Sequence, residues 1–212
     1  MIKIIPSLAS ANQADLKGEL SRLSGIDRLH LDIEDGNFIP NITFGLKTVS
    51  DVSKICGMKM DAHLMVTNPC SYIDALAKMG IVGIAVHFEG LSYPMEAIKR
   101  IKGKGMTAAL AVNPRTAPDE LYYYADAVDY ILVMTAEPDT IGQEFQPKML
   151  DKIARLKKML PEKTKIWVDG GVRRQHLQAL SEAGVGVVIM GRAAFEAERP
   201  AEFIEMLEKS VK

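Results

Sequence analysis

The chain has few cysteines, no long apolar run and almost no net charge. Cys56 and Cys70 are its two cysteines, and their spacing fits neither a disulfide framework nor a metal motif, so we expect buried thiols in a reducing compartment. No apolar stretch approaches the roughly 20 residues that cross a bilayer, and the opening MIKIIPSLAS lacks the regions of a signal peptide. The net charge of -1 offers no broad basic surface for nucleic acid or an anionic membrane. We therefore expect a cytoplasmic protein that binds neither.

The chain also lacks a concentrated linker and any low-complexity segment. Its prolines and glycines fall at turns, and 212 residues that are 48% apolar and 25% charged are typical of a globular protein. Short apolar segments alternate with longer segments of helical periodicity. Eight short segments have the length and composition of strands, namely 2–5, 28–33, 58–63, 81–87, 106–112, 127–134, 165–169 and 185–190.

The alternation of strand and helix indicates the fold class. Strands that are apolar on both faces, each followed by a helix, are typical of a parallel sheet covered by helices. Eight such units in about 200 residues fit a barrel of eight β/α units at the small end of its size range. We therefore predict the α/β class and a single (β/α)8 TIM barrel over residues 1–212, with no second domain.

Polar residues stand at the ends of the predicted strands, where active sites of this barrel collect. His30 and Asp32 lie two residues apart in LHLDIEDGNF, so both side chains point to one face of the second strand. An H-x-D pair alone is also typical of a buried histidine held by a carboxylate. Because His63 and Asp169 end two other strands, the four residues together favour a metal or catalytic site. Zinc, iron, cobalt and manganese all accept such ligands, so one divalent ion of this group is the expected cofactor.

Six segments carry a family resemblance across nearly the whole chain. In order and spacing they resemble the signature blocks of the ribulose-phosphate 3-epimerase family: IPSLASA, LHLDIEDGNFIPNITFG, DAHLMVTNP, LAVNPRT, VMTAEPDTIGQEFQPKMLDKI and WVDGGV. The chain also resembles a divergent branch of pentose- or hexulose-phosphate 3-epimerases encoded with sugar-uptake systems. The resemblance implies a barrel of the ribulose-phosphate-binding type and an isomerase that acts on a sugar phosphate. Small barrels often assemble, so we also expect a homo-oligomer.

The resemblance implies a role for individual residues. It implies a metal held by His30, Asp32, His63 and Asp169, with Asp32 and Asp169 as the catalytic acid/base pair and Ser7 and His63 contacting substrate. The implied reaction converts ribulose 5-phosphate to xylulose 5-phosphate. Inversion at C3 removes a proton from one face and returns one to the other, which explains two carboxyl groups and a cis-enediolate whose charge a metal ion neutralises.

The phosphate of the substrate is expected at the loops after the seventh and eighth strands. Glycines there let backbone N–H groups approach an anion, and the candidate ligands are Gly142, Gly170, Gly171, Gly191 and Arg192. Arg192 stands where family members have a small hydroxyl residue, and it either clamps the phosphate or pairs with Glu196. The segment PDTIGQ, residues 138–143, departs from the family's PGFGGQ, and its Asp139 favours a changed lid or substrate.

Other residues near the predicted mouth have open roles. Glu34 replaces the methionine of the common family form, and it either raises the pKa of a neighbour, binds a sugar hydroxyl or turns to solvent. His87 is expected to support a metal ligand rather than be one. Four apolar residues either exclude water from the site or only fill the barrel: Leu8, Leu64, Met65 and Met134.

Three alternatives to the pentulose reaction remain. The first keeps the chemistry and lengthens the sugar, as in an allulose 6-phosphate 3-epimerase. The second is a sugar-phosphate sensor without turnover, which the altered anion loops favour and the complete set of four metal-binding candidates disfavours. The third is a related barrel decarboxylase or aldolase, which usually needs a lysine near the mouth, and the second-strand motif has none.

Overall fold

The computed structural model describes residues 2–138 and 144–211, and its strands form one eight-stranded parallel sheet. The strands run in the order β1-β8-β7-β6-β5-β4-β3-β2, and a parallel bridge between Ser7 and His30 joins the first strand to the second. The predicted (β/α)8 barrel is therefore confirmed. The strands are β1 Lys3–Pro6, β2 Arg28–Glu34, β3 Lys59–Met65, β4 Ile81–His87, β5 Thr107–Val112, β6 Tyr130–Met134, β7 Lys165–Asp169 and β8 Val187–Met190.

The strand boundaries differ from the predicted ones mainly at β3 and β6. β3 continues to Met65, two residues beyond His63, because Met65 still pairs with Glu34 of β2. β6 begins at Tyr130 rather than at residue 127. The Asp129 carboxylate accepts a hydrogen bond from the backbone N–H of Ala108 at 2.8 Å, so regular pairing with β5 starts only after it.

Helices cover the outside of the barrel. In the described residues the α-helices are α1 Leu16–Ser21, α2 Leu46–Ile55, α3 Ile73–Lys78, α4 Pro94–Lys102, α5 Met149–Met159, α6 Leu177–Glu182, α7 Arg192–Phe195 and α8 Pro200–Ser210. Between β5 and β6 the chain forms a 3₁₀ helix, Pro118–Tyr124, instead of an α-helix. α5 and α8 bury the predicted apolar stripes, including Ile153 and Ile204. No helix in the described ranges has the length and apolar character needed to cross a bilayer.

Two apolar layers hold the barrel together. The outer layer lies between strands and helices, and Leu29, Leu31 and Ile33 of β2 belong to it. The inner layer fills the barrel with side chains of alternating size: Ile5, Ala85, Ala109, Ala111, Tyr130, Leu132, Trp167 and Ile189. Tyr130 and Trp167 stack there with ring centroids 3.9 Å apart. Alternate residues of a strand point to opposite layers. Polar residues at the inward-facing positions therefore point into the barrel interior and its mouth.

Truncation of the inner layer is expected to destabilise the fold strongly. Leu132 is fully buried there, so Leu132→Ala should lower the free energy of unfolding by about 2–5 kcal/mol, since it loses apolar contact and leaves a cavity. Urea denaturation measures the change. Tyr123→Ala is the control, because its side chain is 86% exposed and its loss should cost no more than about 0.5 kcal/mol. Equal midpoints for both variants would contradict this assignment of the core.

Candidate active site

Two reciprocal motifs on β2 and β3 build the floor of the site. H-x-D on β2 lies beside D-x-H on β3, with His30 opposite Asp61 and Asp32 opposite His63. All four side chains are buried. The Asp61 carboxylate bonds to His30 Nδ1 and also accepts from Arg28 Nε at 2.7 Å. Asp61 was not among the predicted site residues, although its spacing of two from His63 places both on one face of β3.

The structure brings His30, Asp32, His63 and Asp169 together. One ligand atom from each lies within 4.8 Å of the others. His30 Nε2 is 3.3 Å from Asp32 Oδ1, and His63 Nδ1 is 3.0 Å from the same oxygen and 3.7 Å from Asp169 Oδ2. His30 Nε2 is buried without a hydrogen-bond partner. Because Asp61 holds the other nitrogen of that ring, the free nitrogen is directed at the carboxylates, as in a metal-binding histidine. The four residues therefore fit a divalent cation.

The two carboxyl groups of this cluster have opposite electrostatic environments. Burial alone would raise the pKa of Asp32, but the charge of His30, together with the hydrogen bond and charge of His63, outweighs burial and holds that pKa below its ordinary value. Burial and the nearby charge of Asp32 raise the pKa of Asp169. Ser7 Oγ also donates to Asp32 Oδ2, which stabilises the ionised form. A proton shared by the pair is thus held by Asp169 rather than by Asp32.

A hydrogen-bonded chain behind His63 sets its tautomer. Glu89 Oε1 accepts from the Asn113 N–H at 2.8 Å and from Thr116 Oγ1, while its Oε2 lies 3.1 Å from His87 Nδ1. His87 Nε2 lies 2.9 Å from His63 Nε2. Burial lowers the pKa of His87 to about 4, so this ring is neutral and donates through Nδ1 to Glu89. His87 Nε2 then accepts from His63 Nε2–H, so His63 Nδ1 faces the two carboxyl groups: it donates a hydrogen bond to Asp32 when the ring is protonated and offers a lone pair when the ring is neutral.

A cavity of about 460 Å³ opens above the cluster. His30 and His63 lie below it, whereas seven other predicted site residues line its wall: Ser7, Asp32, Asp169, Gly170, Gly171, Gly191 and Arg192. Gly142 lies outside the described residues. Met65 and Met134 also line the cavity. The suggestion that Leu8 and Leu64 shield the site is wrong, because both pack in the outer layer between strands and helices.

Gly170 and Gly171 follow β7 with backbone φ angles of +112° and +65°. A Cβ atom on Gly170 would lie 2.8 Å from the backbone nitrogen of Ala136, and one on Gly171 would lie 2.4 Å from that of Phe145. Thr135 Oγ1 donates to the Gly170 carbonyl at 2.6 Å. The loop is therefore pressed against the chain after β6, and its backbone rather than its side chains forms this wall of the cavity.

Substitution at Gly171 is expected to disturb this wall. Gly171→Ala requires a left-handed conformation and a clash with backbone, so it should lower the free energy of unfolding by about 1–3 kcal/mol. Chemical denaturation measures this cost. Gly57→Ala is the matched control, since a Cβ atom there meets nothing within 4 Å. A Gly171→Ala protein as stable as the Gly57→Ala protein would contradict the described packing.

Arg192 lies at the start of α7 and lines the cavity beside Gly191. The alternative partner predicted for it, Glu196, lies on the exposed side of the same turn, where its carboxylate is 3.7 Å from Arg173 Nη1. Arg173 also lines the cavity. The β7 and β8 loops therefore place two guanidinium-bearing residues on the wall of the cavity that the acid pair also lines.

Comparison with known proteins identifies relatives over almost the whole length. The profile of the ribulose-phosphate 3 epimerase family matches residues 3–195. The cytoplasmic isoform of ribulose-phosphate 3-epimerase from Oryza sativa subsp. japonica is 39% identical over 215 residues, which cover 99% of this chain and 94% of the rice protein. The ribulose-phosphate 3-epimerase of Bacillus subtilis (strain 168) is 37% identical over 201 residues, covering 92% of this chain and 93% of that protein.

Solved structures share the architecture at lower sequence identity. The tryptophan synthase A-subunit from Pyrococcus furiosus superposes with a TM-score of 0.71 at 17% identity, over 98% of this chain and 96% of that one. At such identity the likeness concerns the barrel fold alone.

Proposed function

The chain belongs to the ribulose-phosphate 3-epimerase family, and we propose that it epimerises C3 of a ketose phosphate, with ribulose 5-phosphate and xylulose 5-phosphate as the pair. Its relatives carry the name of an epimerase, so the chain is an enzyme of the isomerase class. One observation carries the proposal: Asp32 and Asp169 share a cavity, and their surroundings shift their pKa values in opposite directions. Such divergence is the usual signature of an acid/base pair.

The two carboxyl groups divide the proton transfer. Ionised Asp32 removes the C3 proton from one epimer, and protonated Asp169 delivers a proton to the opposite face. After the forward reaction Asp32 carries a proton and Asp169 is ionised. The two residues therefore exchange roles in the reverse reaction. Ser7 Oγ holds the Asp32 carboxylate by donating a hydrogen bond to Oδ2, and His63 Nδ1 lies 3.0 Å from Oδ1. Met65 and Met134 limit the access of water from the cavity wall.

The phosphate group of the substrate binds at the β7 and β8 loops. Gly170, Gly171 and Gly191 expose backbone along the cavity wall, and Arg192 supplies a planar cation for the phosphate oxygens. This assignment anchors one end of the substrate beside the acid pair. Anchoring positions C3 between the two carboxyl groups, which lowers the entropic cost of reaching the transition state.

Metal dependence is part of the proposal. His30 would hold a divalent cation through Nε2 and His63 through Nδ1, together with the Asp32 and Asp169 carboxylates. Zinc, iron, manganese and cobalt all suit this donor set. When bound, such a cation acts as a Lewis acid that stabilises negative charge on the oxygens of the ketose.

Solvent-deuterium exchange at C3 tests the proposal. The protein is incubated in D₂O with pentulose 5-phosphates and hexulose 6-phosphates, with and without added metal, and deuterium at C3 is measured by NMR. Metal-dependent exchange on a pentulose phosphate is the expected result, while faster exchange on a hexulose phosphate would move the assignment to a hexulose 6-phosphate 3-epimerase. Binding without exchange would indicate a sugar-phosphate sensor, and exchange without metal would refute metal dependence.

The remaining proposals concern the protein's surroundings. We propose a homo-oligomer that binds neither nucleic acid nor membrane, and light scattering of the purified protein tests the oligomeric state. A cytoplasmic location is supported by the name of the rice relative, which is a cytoplasmic isoform. Cell fractionation tests it.

A further inference from the structure

Glu34 stands in the cavity directly above the acid pair. It is the last residue of β2 and lies two residues beyond Asp32, so both side chains point inward. Since a strand advances about 3.3 Å per residue, Glu34 lies roughly 7 Å closer to the mouth. It lines the same cavity as Asp32, Asp169 and Arg192. A substrate bound at the acid pair therefore passes beside the Glu34 carboxyl group.

The surrounding loop fixes the orientation of this carboxyl group. Asn41 Nδ2 donates to Glu34 Oε2 at 2.6 Å. Asn41 is itself held, because its carbonyl accepts from the Gly36 N–H at 2.9 Å. Asp35 anchors the loop to the end of β3 by accepting from the Thr67 N–H at 2.8 Å. The Glu34–Asn41 pair is thus preorganised before any substrate binds.

One side of this pair is left for a ligand. Within residues 2–138 and 144–211, Glu34 makes no ion pair, and Oε1 accepts no hydrogen bond. The neighbouring carboxyl groups of Asp32 and Asp169 disfavour further negative charge at this position. A glutamate here therefore does not stabilise the folded protein through its charge. The open Oε1 accepts a hydrogen bond, and the second Nδ2 hydrogen of Asn41 can donate one. A hydroxyl group satisfies both at once.

We propose that Glu34 and Asn41 bind a hydroxyl group on a carbon flanking the C2–C3 unit of the ketose, which makes Glu34 a specificity-determining residue. The inference rests on the proposed epimerase function, because that function places C2 and C3 at the acid pair. The candidate hydroxyls are those on C1 and C4. A site built to bind a hydroxyl group discriminates strongly against an analogue that lacks it.

A substrate-by-variant comparison tests this contact. The values of kcat/KM for C3 exchange are measured for the metal-loaded wild type and for Glu34→Met, which keeps the side-chain length and removes the acceptor. Substrates are the preferred ketose phosphate and its 1-deoxy and 4-deoxy analogues. Glu34→Met should lower kcat/KM on the parent substrate by about 10- to 100-fold and on one deoxy analogue by less than about threefold. Equal losses on all three substrates, or no loss on any, would overturn the inference.

Controls separate this inference from the proposed function. Glu162→Met changes an exposed glutamate just before β7, at the opposite end of the barrel from the site. It should leave kcat/KM on all three substrates equal to the wild-type values. Calorimetric binding of a pentitol 5-phosphate and its deoxy analogues gives a readout that needs no turnover. If the wild type exchanges C3 and Glu34→Met has no effect, only the proposed hydroxyl contact is contradicted. If binding depends on the hydroxyl group but no exchange occurs, only the proposed epimerase function is contradicted.

Discussion

Asp169→Asn and Asp32→Asn are each expected to reduce C3 epimerisation by at least about 10³-fold, because one of the two proton transfers loses its acid or base. The two variants should differ in which epimer still exchanges its C3 hydrogen with solvent. A variant that retains one carboxyl group can still remove and return a proton on one face of C3. It should therefore exchange the C3 hydrogen of one epimer with solvent without converting that epimer into the other.

The measurement follows deuterium incorporation from each pure epimer separately. Asp169→Asn should exchange only one epimer, and Asp32→Asn should exchange only the other. Because both residues also belong to the metal-binding cluster, metal content must match that of the wild type before rates are compared. Asp126→Asn serves as the control, since its side chain is 85% exposed and lies away from the cavity. Loss of exchange from the same epimer in both variants would rule out two opposed bases.

Most of the site follows from sequence because the fold turns local spacing into position. The period of two along a strand places His30 and Asp32 on one face, and a parallel barrel gathers the carboxyl ends of its strands at one mouth. The same alternation would have corrected Leu64, which directly follows His63 and must point outward.

Other features depend on long-range geometry that spacing does not contain. The pairing of His30 with Asp61 needs the relative register of two strands, and that register is set by closure of the barrel. The contact between Asn41 and Glu34 depends on the path of an irregular loop. The 3₁₀ helix between β5 and β6 replaces the expected α-helix in a segment with few apolar anchors, since only Pro118 and Leu121 are buried in it. The role of Gly142 stays a prediction.

Removal of the metal, by chelator or by acid, is expected to lower the rate of epimerisation by at least about 10³-fold. The reason is that Lewis-acid stabilisation of the transition state, worth several kcal/mol, is lost. The acid effect follows from the histidines. Burial alone would lower the pKa of His30 and of His63, but the charges and hydrogen bonds of neighbouring carboxylates outweigh it and raise both pKa values above 6.5. In the metal-free protein, protons therefore bind more tightly to the imidazole nitrogens that a cation needs, and they compete with it.

Metal affinity should consequently fall as the pH falls through these raised pKa values, by about tenfold per pH unit for each proton displaced. The metal-free protein should behave in the opposite way, because a raised pKa stabilises the folded state below pH 6.5 and this stabilisation is lost as the pH rises. Metal content after dialysis between pH 5 and pH 8 and thermal unfolding of the metal-free protein measure the two trends. His176→Asn changes a histidine outside the cluster and should alter neither trend. Constant metal content across this range, or full activity after complete metal removal, would contradict a cation held by these imidazoles.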